Sequence, residues 1–78
     1  VTPLALEIQL NGKPQRFEDL TAPATLERIV ESLGLKPDRI AVECNGEIAP
    51  RSTWSQVPVN TGDKLEIVHF VGGGSNRT

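Results

Sequence analysis

Thr25-Leu26-Glu27-Arg28-Ile29-Val30-Glu31-Ser32-Leu33-Gly34 sets Leu26, Ile29, Val30 and Leu33 at the i, i+3, i+4, i+7 spacing of a helix with one apolar face. Thr25 has the hydroxyl of an N-cap, and Glu27 suits the positive end of the helix dipole. Gly34 can take the left-handed position after the last turn, and Pro37 prevents continuation. A helix of about two to three turns does not persist alone in water. Its Leu/Ile/Val stripe therefore has to lie on a sheet, and the residues on either side supply one.

Upstream, Leu4, Leu6, Ile8 and Leu10 alternate with Ala5, Glu7 and Gln9, the two-residue period of a strand with one buried face. Asn11-Gly12 is a type I′ turn pair, so Gln15 to Phe17 returns antiparallel. Pro14 cannot donate to a ladder and assigns this return to a sheet edge. Glu18 to Ala24 reads as turn-like. Downstream, Ile40, Val42 and Cys44 alternate with Ala41 and Glu43 and run into a second turn pair, Asn45-Gly46, with Glu47 to Ala49 as a short return arm. Arg51 to Gln56 is irregular or a single turn and carries the only tryptophan, Trp54. Asn60-Thr61-Gly62-Asp63 precedes a final strand, Lys64 to Val71. The order is strand, strand, helix, strand, short strand, strand. It predicts an α+β fold in which one main helix packs on one face of a mixed sheet of four to five strands.

A chain of 78 residues is one small domain, expected over residues 1–71. Residues 72–78 contain no apolar side chain and are expected to form a flexible glycine-rich tail. The formal net charge of -2, with signs interspersed, offers no basic stripe and argues against a nucleic-acid partner. No apolar run has the roughly 18 residues needed to span a bilayer, so no membrane role and a cytoplasmic location are expected. One cysteine, Cys44, allows neither an internal disulfide nor a structural zinc site.

Three groupings could carry chemistry. Cys44 and His69 are a thiol and an imidazole, but Cys44 shares a strand face with Ile40 and Val42, and no third group is indicated to orient the histidine. Glu7, Glu43, Glu47 and Glu66 fall out of phase with the apolar strand positions and make an acidic, solvated sheet face. No metal motif is present. The run His69-Phe70-Val71-Gly72-Gly73-Gly74 joins an apolar strand end directly to three glycines. A side-chain-free chain end can thread a narrow channel in another protein and deliver a terminal carboxylate, although composition alone does not separate this from a frayed end or a spacer.

Val42 to Trp54, VECNGEIAPRSTW, resembles the N-x-x-[IV]-[VA]-P-R-x-x-W stretch of the thiamine-biosynthesis sulfur carrier family, ThiS. Gly62 to Gly74, GDKLEIVHFVGGG, is similar to that family's last strand and glycine tail, and the Leu10-Asn11-Gly12-Lys13 turn agrees. The likeness runs from Leu6 to Gly74, with Thr21 to Asp38 similar mainly in pattern. It implies a ubiquitin-like β-grasp fold and a protein-borne sulfur carrier that is not itself an enzyme. Gly74 would bear the carboxylate that a ThiF-like partner adenylates with ATP. Sulfur from a cysteine persulfide would make it a thiocarboxylate, for delivery to a ThiG-like thiazole synthase. Gly72 and Gly73 would be the flexible approach, and Val68, Phe70 and Val71 the partner-binding residues. No bound cofactor or metal is implied.

The family ends at its glycines, whereas Ser75-Asn76-Arg77-Thr78 follows Gly74 here. The expectation is a genuine carrier that becomes active once the Gly74 carboxylate is exposed. Removal by a protease, a remnant of expression and loss of the carrier role are three readings of those four residues. The small subunit of molybdopterin synthase, another β-grasp sulfur carrier, and a ubiquitin-like modifier joined through Gly74 to a lysine are the alternative roles on the same fold.

Overall fold

The computed structural model describes residues 5–70. Alternation is realised in β1 (Leu6–Leu10), where Leu6 and Ile8 are buried and Glu7 and Gln9 exposed, and β2 (Lys13–Phe17) returns beside it with Phe17 inside. Both residues of the Asn11-Gly12 turn have positive φ, 52° and 81°, as a type I′ turn requires. A two-residue strand, β3 (Ala24–Thr25), leads into α1 (Leu26–Ser32). Thr25 caps it, its hydroxyl accepting from the Arg28 amide at 3.2 Å, and Gly34 beyond its end has φ 73°. A 3-10 turn (Pro37–Arg39) precedes β4 (Ile40–Cys44), which pairs with β5 (Glu47–Ile48) across Asn45-Gly46. A longer 3-10 segment (Arg51–Gln56), β6 (Pro58–Val59) and β7 (Lys64–His69) complete the chain of elements.

The main sheet has five strands in the order β2-β1-β7-β4-β5, and β2 with its Pro14 is an edge as expected. The last strand is thus the central one, parallel to β1 and antiparallel to β4. Leu26, Ile29 and Val30 of α1 are buried together with Leu6, Ile8, Ile40, Val42, Leu65 and Ile67 of the sheet. The helix periodicity and the strand periodicities meet in that one core. β3 and β6 form a separate two-stranded ladder. It ties the helix N-terminus down, with the Leu26 amide donating to the Val57 carbonyl at 2.9 Å. Leu20, in the stretch read as turn, is buried, and its carbonyl accepts from the Leu6 amide at 2.9 Å.

Two asparagines brace β7. Beyond Leu10 the β1 backbone turns away, and the Asn11 side chain takes over the pairing: Oδ1 accepts from the Ile67 amide at 2.7 Å and Nδ2 donates to the Ile67 carbonyl at 3.2 Å. On the other flank Asn45 Oδ1 accepts from the Lys64 amide at 3.0 Å. Asn11→Gly keeps the left-handed freedom but removes both bonds to a part-buried strand. The expected loss is about 1 to 2 kcal/mol in urea unfolding. Asn11→Ala should lose more, because alanine resists positive φ.

Candidate functional site

Of the residues expected to meet a partner, Val68 and Phe70 are described and Val71 is not. Gly72, Gly73 and Gly74, with the expected boundary between domain and tail, also lie outside the described residues. Val68 is 62% exposed and sits opposite Ala41 on the sheet face away from α1. Phe70 follows the last residue of β7 and is 57% exposed. Its amide donates to the Arg39 carbonyl at 2.9 Å, which keeps the chain on the β4 side as it leaves the sheet. The Phe70 side borders a shallow depression shared with Pro37, Asp38, Ile40 and Arg51.

Cys44 and His69 do not come together. Cys44 is the register partner of Leu65, four residues before His69 along β7, which separates the two by about 13 Å. Cys44 packs against the edge of the core and faces a cleft lined by Glu47, Pro50, Thr53 and Val57. Burial pushes its thiol up, and the carboxylates of Asp63 and Glu47 push in the same direction. A protonated thiol is a poor nucleophile. Among the described residues no group of His, Cys, Asp and Glu could hold a metal ion, and no helix is long and apolar enough to cross a membrane.

The acidic residues divide. Glu7 is paired with Arg16, which also holds Glu18. Glu43 and Glu66 are register partners on the open face, and Ile48, the register partner of Glu43 on its other side, is 74% exposed. The bracing amides of Asn11 and Asn45 and the exposure of Ile48 were not singled out from the sequence. Asparagine at the first position of an Asn-Gly turn signals only the turn. Nothing in a two-residue strand tells which way Ile48 faces.

The sequence profile of the ThiS family matches residues 8–74, a span that starts within β1, takes in the other four strands of the main sheet and ends on the third glycine of the C-terminal run. The chain belongs to the ThiS family. It is 37% identical over 67 residues to the Bacillus subtilis sulfur carrier protein ThiS, covering 86% of this chain and 98% of that one. The crystal structure of the thiamine biosynthesis protein ThiS from Geobacter metallireducens superposes with a TM-score of 0.76 at 28% identity, over 88% of this chain and 100% of that one. The fold is the ubiquitin-like β-grasp, as the resemblance had implied, with the mixed sheet and single main helix that the residues had predicted. A thiazole synthase from Paramagnetospirillum magneticum is 44% identical over 72 residues, which is 92% of this chain but 21% of that protein. The chain thus spans about a fifth of the length of this curated relative.

Proposed function

We propose that this chain carries sulfur, as a thiocarboxylate on Gly74, for the making of the thiazole ring of thiamine. The observation that carries the reading is the family match through Gly74, with the three glycines beginning three residues after the last residue of the central strand. A carboxylate is a poor electrophile. On an ATP-using partner the carboxylate oxygen attacks the α-phosphorus of ATP and expels pyrophosphate, leaving an acyl-adenylate whose leaving group is AMP. The outer sulfur of a cysteine persulfide then displaces AMP, and a thiol takes the inner sulfur, freeing the thiocarboxylate. The carrier supplies the reach of its glycines and a rigid body to be held; acid, base and ATP site belong to the partner. It is not an enzyme in this reading, binds no cofactor of its own, and works in the cytoplasm, where its partners hold ATP and persulfide. The thiazole synthase relative, which contains a segment similar to this chain, supports a thiazole synthase as the receiver.

The test uses the chain ended at Gly74. Incubated with the adenylating enzyme, ATP and a persulfide donor, it should gain the mass of one oxygen exchanged for sulfur, read on the intact protein. A conjugate to a lysine amine instead, or no gain, would overturn the reading.

A further inference from the structure

Both hairpins of the main sheet turn on the same dipeptide. Asn11-Gly12 joins β1 to β2 and Asn45-Gly46 joins β4 to β5, with φ of 52° and 81° in the first turn and 53° and 87° in the second. All four residues are exposed, and a Cβ built on either glycine would meet no atom within 4 Å. An asparagine followed by glycine carries a chemistry of its own, because the glycine amide nitrogen, unobstructed by a side chain, can close a five-membered ring on the asparagine Cγ. The backbones of the two turns are matched. A difference in reactivity between them therefore has to come from how each side-chain amide is held.

The Asn11 amide is held at both ends by one residue. Its Oδ1 accepts from the Ile67 amide at 2.7 Å and its Nδ2 donates to the Ile67 carbonyl at 3.2 Å, both in part-buried surroundings. Two such bonds fix the plane of the side-chain amide, and attack at Cγ has to break at least one of them. Asn45 is held firmly at one end only. Its Oδ1 accepts from the Lys64 amide at 3.0 Å, while its Nδ2 faces the Cys44 Sγ at 3.8 Å, a weak acceptor, and both contacts are exposed. This amide can pivot about its oxygen, so Cγ can approach the Gly46 nitrogen while the Lys64 N–H stays on the atom where negative charge develops. That is the assistance an oxyanion hole gives. The nitrogen that has to leave is the atom with the least to give up.

We propose that Asn45 is a self-modification site, losing its side-chain amide to the Gly46 nitrogen through a succinimide, while Asn11 is protected by its clamp on the central strand. The Gly46 N–H gives its proton to base and the nitrogen attacks Asn45 Cγ. The N–Cγ bond forms, the Cγ–Nδ2 bond breaks, and Nδ2 takes a proton from solvent and departs as ammonia. Water then opens the ring at either carbonyl, leaving aspartate or isoaspartate. One water enters, one ammonia leaves, and no oxidation or reduction takes place. The product carries a carboxylate where the chain had a neutral amide, next to Cys44 and beside Glu47 and Asp63, whose charges already act on that thiol. Isoaspartate also adds a carbon to the main chain, which a two-residue turn holding Cys44 opposite Glu47 cannot absorb.

The test holds the full chain folded at mildly alkaline pH and samples it over time by ion exchange, intact mass and peptide mapping, with the Asn45→Asp chain as the standard for the aspartate product. The expected result is one added negative charge per chain, mapped to residue 45. Asn11 should convert about tenfold more slowly, the factor set by breaking one further hydrogen bond. A second arm repeats the time course in urea. With both turns unfolded the two Asn-Gly pairs should convert at similar rates, which assigns the difference to the fold and not to the neighbouring sequence. Equal rates at Asn11 and Asn45 in the folded chain, first conversion at any other asparagine, or the same ratio of rates folded and in urea would overturn the proposal. So would an Asn45 that stays intact in the folded chain while the unfolded chain converts.

Discussion

Trp54→Ala is expected to remove about 3 to 5 kcal/mol of folding stability, a large share of the roughly 4 to 12 kcal/mol that a domain of this size holds. Trp54 lies in the 3-10 segment between β5 and β6, yet it is 3% exposed and belongs to the same core as α1 and the sheet. Its segment packs against α1, so the ring adds to the apolar cover that a seven-residue helix gives the sheet. Its indole is also satisfied: Nε1 donates to the Ala49 carbonyl at 2.7 Å. Removing the ring opens a cavity in a core too small to collapse around it. Trp54→Phe separates the two contributions. It keeps much of the apolar ring but leaves the Ala49 carbonyl without its partner, with an expected loss of about 1 to 3 kcal/mol. Urea unfolding followed by circular dichroism reads both variants without the lost fluorophore. Equal losses for Phe and Ala would show that the hydrogen bond, and not the filled volume, sets the contribution of Trp54.

The elements that could be read from the sequence are those with one face in and one face out over several residues. Five residues in β1 and β4 and seven in α1 are enough for a period to appear. The Asn-Gly pairs announced their turns because positive φ at two successive positions admits few residue types. The ladder of β3 and β6 was not legible. Two residues have no period, and Pro58 reads as a breaker when it is in fact a strand residue at an edge. Leu20 and Trp54 were hidden for a related reason: they enter the core from irregular backbone, where apolar character alone does not distinguish packing from exposure. The acidic face was visible for Glu7, Glu43 and Glu66 as residues out of phase with the core, but not for Glu47, which pairs with Cys44 and lines its cleft on the other face. Its division was not, since register decides that Glu43 meets Glu66 while Glu7 meets Arg16, and register is a property of two distant segments.

A chain ended at Gly73 is expected to lose sulfur gain by about a hundredfold or more relative to one ended at Gly74. Removing one residue draws the terminal carboxylate back by about 3.5 Å. Adenylation needs a carboxylate oxygen at near-attack distance from the α-phosphorus, and a displacement of even about 1 Å at such a step costs about a hundredfold. In a passage long enough to require a fully extended tail, the glycines cannot make up the difference, because an extended chain has no slack. Gly74→Ala at the same chain length tests the companion requirement: the carboxylate is at the right distance, but a Cβ now enters the passage, and slower transfer is expected. Intact mass against time, with binding measured in parallel, reads all three chains. If the chain ended at Gly73 gained sulfur as fast as the one ended at Gly74, the reacting position would be set by the partner's tolerance and not by the length of the tail. The assignment of Gly74 would then fail even though sulfur was carried.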